Sequence, residues 1–216
     1  MRPGETLRKI FVPAIDRTAP LSGPIAAAGG VLRLAPLPPQ RLRYYQSKLG
    51  ARQRYRMSRA EIKQLLDDLA AQNIGVLLKE YLGRYWSADY GLIWRAPPQS
   101  SSGEWHHDNV GHRLKIFIVL ENESEQNGTE FIPFTHRTRW TTFSGRMDAP
   151  SQRPCFEVQR PGDVLLFDTN ALHRGVYSPK GRTILQVEFT HILKSFLVPG
   201  QCGRYFRDRL ARSADP

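Results

Sequence analysis

Between residues 90 and 189 the chain breaks into strand-length runs, at 90–95, 114–120, 129–133, 164–167 and 182–189, with turn-forming stretches and no long helical pattern between them. This spacing is the strongest constraint on the fold. Neighbouring parallel strands need long crossovers, usually helices, whereas antiparallel strands are joined by short turns. Short strands at such intervals therefore predict an antiparallel β-sandwich. Tyr90, Leu92 and Trp94 alternate onto one strand face, and Ile116-Phe-Ile-Val-Leu120 and Val164-Leu-Leu-Phe167 read as buried strands. The polar segment 121–128 and Pro161-Gly-Asp163 are turns.

Before the strands, Ser58-Arg-Ala-Glu61 is a capping box that should start a helix. Ile62, Leu65, Leu66 and Leu69 follow at helical spacing and form one apolar stripe, suited to packing on a sheet. Asn73 and Gly75 should interrupt it before a second helical piece through Val76, Leu77 and Tyr81. Residues 1 to about 40 are irregular, with recurring Gly and Pro, and predict a loosely structured arm with one short strand at 31–34. The domain reading is thus a basic arm over 1–57, a jelly-roll domain with leading helices over 58–198, and a basic tail over 199–216.

The net charge of +11 is concentrated in the arm, where eleven Lys and Arg face two Asp and Glu. Such an excess can gather anionic ligands or simply solvate the arm. Residues 41–46 and 52–56 interleave Arg with Tyr, a mixture that grips phosphates and stacks on bases, and that also occurs on plain helix surfaces. A length of 216 residues suits a single domain with a full core. No apolar run is long enough to span a bilayer, and charges punctuate the N-terminus, so a cytoplasmic protein is expected. Cys155 and Cys202 have neither zinc nor redox spacing and are expected to be reduced thiols.

Trp105-His106-His107-Asp108 carries the chemistry. A His and a carboxylate two residues apart project from one face of a strand, while His107 alternates away. The turn at 161–163 and the strand after it can bring His173 to the same point. Two imidazoles and one carboxylate leave part of a six-coordinate ferrous ion open for a co-substrate and oxygen. Arg182, nine residues after His173 on a plausible adjacent strand, can clamp a carboxylate through its guanidinium fork. The loop 96–103 could close over the site as a lid, and Arg137, Arg139, Trp140 and Arg146 are candidate substrate contacts. Arg174 should turn from the site toward an acid.

His106-x-Asp108, then His173, then Arg182, set among Glu104-Trp-His-His-Asp108, Asn127-Gly-Thr-Glu-Phe-Ile-Pro-Phe-Thr-His136 and Pro161-Gly-Asp163, resembles the Fe(II)- and 2-oxoglutarate-dependent oxygenases, in their phytanoyl-CoA dioxygenase-like branch. The resemblance covers about half the chain, roughly residues 90–190. It implies a double-stranded β-helix, or cupin-like jelly-roll, mainly β with flanking helices. It implies His106, Asp108 and His173 as Fe(II) ligands and Arg182 as the anchor of 2-oxoglutarate. The implied activity is hydroxylation of an unactivated C–H bond of a small organic substrate, anionic ones included, with consumption of O2 and release of succinate and CO2. His136 falls in a segment resembling a structural turn of the family. Asp108 sets the chain apart from related halogenases, which carry a small residue there. Glu188, six residues after Arg182, sets it apart from nucleic-acid demethylases of the wider superfamily, which carry a second Arg. The alternative is a cupin-like binding or regulatory protein acting on nucleic acid or another polyanion.

Overall fold

The computed structural model describes residues 22–96, 103–108, 113–138, 146–147, 151–158, 160–176 and 181–191. Strand β5 (Leu114–Asn122) and strand β11 (Arg182–His191) are buried along nearly their whole length, as expected of strands covered on both faces. They lie side by side in a six-stranded sheet with β1 (Val31–Leu34), β2 (Arg54–Arg56), β3 (Trp86–Ala96) and β9 (Val164–Asp168), in the order β1-β9-β5-β11-β3-β2. A second sheet has the order β7-β4-β10-β6-β8, built from β4 (Trp105–His106), β6 (Gly128–Phe131), β7 (Arg146–Met147), β8 (Cys155–Val158) and β10 (His173–Val176). Each pairing among the described strands is antiparallel. The chain thus has the antiparallel jelly-roll architecture that its strand spacing predicts.

Alternation divides the large sheet between two cores. Leu114, Ile116, Ile118 and Leu120 of β5, with Val164, Leu166, Leu185 and Val187 from its neighbours, join the helices in one apolar cluster. The opposite face supplies Phe117, Leu165, Phe167 and Ile184, which meet Phe131 of the second sheet. Each fully buried Leu, Ile or Phe side chain stabilises the fold by about 1.5–3 kcal/mol.

The helices are α1 (Pro24–Ala27), α2 (Pro39–Leu49), α3 (Arg59–Asp68) and α4 (Ile74–Leu82). The capping box opens α3 as predicted, and Ile62, Leu65 and Leu69 are buried. Asn73, in the left-handed conformation, ends the intervening 3-10 turn and starts α4, whereas Gly75 sits inside that helix. The inward face of α4 is Ile74, Leu78, Tyr81 and Leu82, and Val76 points to solvent.

The short strand expected at 31–34 forms as β1, and the rest of residues 22–57, placed in the N-terminal arm, carries two helices and a second strand of the large sheet. The reason is tertiary. Strand β1 satisfies its backbone along β9, β2 does so along β3, and Leu37, Tyr45 and Leu49 fill the helix-side core. The Arg and Tyr mixture of residues 41–46 is largely used in packing: Arg41 Nε and Tyr45 Oη both donate to Asp68 Oδ2, each at 2.8 Å. Residues 1–21 and 192–216, which include Cys202 and the tail, lie outside the described residues. Cys155 is free and exposed. No helix among the described residues is long and apolar enough to cross a membrane.

Burial would raise the Glu61 carboxyl, but hydrogen bonds from Ser58, Lys48 and Tyr55 outweigh it and hold the group down to about 2. A carboxylate whose folded value lies below its ordinary 4.5 contributes stability that is complete above pH 4.5 and fades as pH falls toward 2. Glu61→Gln is therefore expected to flatten the acid limb of a stability-versus-pH curve in that window. An unchanged slope in urea melts at successive pH values would contradict this role.

Candidate metal centre

Strand β4 pairs with β10 so that His106 and His173 stand directly opposite one another. Their rings lie 4.4 Å apart, centroid to centroid. Asp108 falls just beyond the short β4 strand, where its backbone N–H donates to the Thr169 carbonyl at 3.0 Å. That bond ties the His106-x-Asp108 pair to the turn leading into His173. Asp108 Oδ1 lies 3.6 Å from His106 Nε2 and 3.8 Å from His173 Nε2, and the three donor atoms lie within 4.8 Å of one another. Donors about 2.1 Å from a metal on adjacent corners of an octahedron stand about 3 Å apart, so small inward movements suffice to close them on an ion.

Both imidazoles are oriented from behind. His106 Nδ1 lies 2.7 Å from the Glu104 carbonyl, and His173 Nδ1 lies 2.8 Å from that of Ala171. A carbonyl can only accept, so each Nδ1 donates its proton there and each ring turns its Nε2 toward the cluster. Burial lowers His173 to about 4, against the opposing pull of Asp108, so the ring is neutral at pH 7. Burial works against the charge on Asp108, but the Lys115 ammonium beside it outweighs burial and holds the carboxyl below the usual range. Neutral imidazoles and an ionised carboxylate are the protonation states a divalent ion requires. His107 is buried and stands outside this group of donors.

Sequence reasoning missed the polar chain beside the cluster. Lys115, one buried residue of β5, donates to Asp108 Oδ2 and lies 3.0 Å from Glu188 Oε1 of β11. Tyr90 donates to Glu188 Oε1 at 2.8 Å, Gln186 Nε2 donates to Tyr90 Oη at 3.0 Å, and Trp94 Nε1 donates to Gln186 Oε1 at 3.1 Å. Arg113 Nη1 stands 3.6 Å from Glu188 Oε2. Burial disfavours the Lys115 charge, but Asp108 and Glu188 more than compensate and raise its pKa. The traces of this network in the sequence are Lys115 inside the apolar run 114–120 and Gln186 and Glu188 inside the run 182–189.

Arg182 opens β11 at 3% exposure, and its Nη1 donates to Thr129 Oγ1 at 3.4 Å. Thr129 faces Gly175, two residues along β10 from His173. Arg174 turns away as expected, donating through Nε to Glu130 Oε2 at 2.6 Å and covering the Trp105 ring. Arg137 departs from its expected role as a substrate contact: its guanidinium packs over Phe134 and donates to the Ala26 carbonyl at 3.4 Å. Arg139, Trp140, His112, residues 97–102 of the suggested lid and the Arg146 side chain lie outside the described residues.

His136 is buried in a 3-10 turn with Nδ1 3.1 Å from the Gly29 carbonyl. A Cβ on the adjoining Gly30, at φ +97°, would come 2.7 Å from that nitrogen, so only glycine suits both the dihedral and the space. The turn ahead of His173 is set by Asp168, whose Oδ1 accepts from Asn170 N–H at 2.8 Å and whose Oδ2 accepts from Tyr81 Oη at 2.6 Å. A hydrogen bond to a buried charge contributes about 1.5–3 kcal/mol. Tyr81→Phe should therefore lower unfolding stability by about 2 kcal/mol in chemical denaturation. A change below about 0.5 kcal/mol would show that Asp168 is held by its other contacts.

No protein-family model matches the sequence, and no curated protein matches it. Solved structures do. HygX from Streptomyces hygroscopicus with iron bound superposes with a TM-score of 0.56 at 14% identity, over 77% of this chain and 84% of that one. EvdO2 from Micromonospora carbonacea var. aurantiaca, complexed with 2-oxoglutarate, gives 0.55 at 14% identity over 83% and 89%. SnoN, described as the non-heme alpha ketoglutarate dependent epimerase from nogalamycin biosynthesis, gives 0.55 at 13% identity over 86% and 84%. The chain shares their fold.

Proposed function

We propose that the chain is a mononuclear Fe(II) enzyme that uses 2-oxoglutarate and O2 to oxidise a C–H bond of a small organic substrate, with hydroxylation as the outcome that the intact carboxylate ligand favours. One observation carries the reading. His106, Asp108 and His173 gather three metal-type donors within 4.8 Å of one another, and a buried guanidinium, Arg182 of the facing sheet, reaches Thr129 on β6, the strand beside His173. The relatedness in fold to structures holding iron and 2-oxoglutarate supports it.

His106 Nε2, Asp108 Oδ1 and His173 Nε2 would hold the ion. The chemistry to be supplied there is oxygen activation coupled to decarboxylation of 2-oxoglutarate to succinate and CO2. The chain's own contribution is placement. Arg182 and the Thr129 hydroxyl receive the far carboxylate of the co-substrate. Thr129 faces Gly175, two strand residues from His173, which is about 7 Å and comparable to the length of a five-carbon diacid. Phe117, Phe131, Phe167 and Ile184 form an apolar floor between the sheets that keeps water from the reacting atoms. Partly exposed Tyr90 and Trp94 line the same face of β3 and are available to substrate.

The test is an anaerobic titration of the metal-free protein with Fe(II) and then 2-oxoglutarate, followed by the visible metal-to-ligand charge-transfer band of the chelate. The band is expected at one equivalent of each. Tightly bound iron with no band on adding the 2-oxo acid would defeat the co-substrate assignment. SnoN is an epimerase by description, and product analysis with a deuterated substrate separates net oxygen insertion from epimerisation.

A further inference from the structure

The two oxygens of Asp108 have different surroundings. Oδ1 faces the histidine nitrogens, 3.6 and 3.8 Å away, while Oδ2 is engaged by the Lys115 ammonium. That ammonium is not free to leave. Its side chain is 7% exposed, its nitrogen lies 3.0 Å from Glu188 Oε1, and it sits over the rings of Phe117 and Phe167. Glu188 is in turn fixed by Tyr90 Oη and neighbours Arg113. The strand register explains the fit: Lys115 is directly opposite Glu188 on β11 and Phe167 on β9.

We propose that Lys115 is a positioning residue that caps Oδ2 and so restricts Asp108 to a single metal-bound oxygen. The inference rests on the metal-centre reading above and extends it to a residue outside the ligand set. Its consequence is a count. With one oxygen from Asp108 and two imidazole nitrogens, three of six positions stay open, two for a chelating 2-oxo acid and one for O2. A carboxylate free to bind through both oxygens would take one of them. The device also opposes metal binding, since a cation held near the site repels a dication. Lys115 thus exchanges some metal affinity for open coordination positions.

The experiment uses the full chain loaded with Mn(II) without 2-oxoglutarate, and counts metal-bound exchangeable waters by pulsed EPR in isotopically labelled water. Wild type is expected to hold three waters and Lys115→Met two. Mn(II) should bind Lys115→Met about tenfold or more tightly, and 2-oxoglutarate should then bind the loaded variant more weakly. Lys115→Arg, which keeps a cationic donor, should return the count to three. A merely structural lysine would weaken both ligands together and leave the count alone. Three waters in both wild type and Lys115→Met overturns the inference while leaving the metal centre standing. Two waters in wild type also overturns it, and this measurement needs no variant to fold. Absence of Mn(II) and Fe(II) binding by wild type would instead remove the metal centre itself.

Discussion

Replacing Asp108 by Ala is expected to abolish stoichiometric Fe(II) binding and all turnover while leaving the fold intact. The carboxylate is the one anionic donor of the cluster, and two neutral imidazoles alone hold Fe(II) poorly. Losing the only charged donor together with its coordinate bond should lower Fe(II) affinity by more than about a hundredfold. The fold should survive because the backbone bond from Asp108 N–H to Thr169 does not involve the side chain, and Lys115 keeps Glu188 as its counter-ion. Equilibrium dialysis against Fe(II) checks the first part, and circular dichroism melting the second. An Asp108→Ala protein that still binds one iron and forms succinate would place the metal elsewhere.

The second large effect is at Arg182. Arg182→Met keeps the length and apolar stem of the side chain but removes the fork, and is expected to weaken 2-oxoglutarate binding by about a hundredfold or more. Deleting one partner of a buried charge pair costs about 3–5 kcal/mol, which is that order or larger. Fe(II) affinity should be unchanged, because Arg182 contacts the Thr129 hydroxyl rather than the donor cluster. The charge-transfer band should therefore appear only at far higher 2-oxoglutarate. The same band midpoint as wild type would move the anchor to another cation, with Lys115 and Arg113 the next to test. Loss of iron binding in parallel would mean the substitution disturbed the sandwich rather than the clamp.

Lys115 and Asp108 show how far pattern reading extends. Asp108 stands out because it follows His106 at strand spacing ahead of a distal His173 and a later Arg182, and His173 because it follows the apolar run 164–167 and its turn. Their meeting could be anticipated from chemistry alone. Lys115 is seven residues from Asp108, inside a run that reads as core, and alternation says only that it shares a face with Phe117 and Val119. Its partner Glu188 is 73 residues further on, and only the sheet register joins them. Residues 22–57 teach the same lesson from the other side. A strand is legible only at 31–34, yet β2 forms as well, and both take the unpaired edges that the sheet offers them.

By itself the sequence determined what is local or periodic: the capped start of α3, the strand runs with their antiparallel order implied by short connections, and the identity of the metal-type donors. These depend on interactions within a few residues, or on side-chain chemistry that position cannot alter. Tertiary structure decided which distant residues share a face and a register. It placed His106 opposite His173, set Arg182 beside Thr129, and turned one oxygen of Asp108 toward the histidines while Lys115 held the other. Those outcomes come from long-range strand pairing, where a shift of one residue would send each of these side chains to the opposite face.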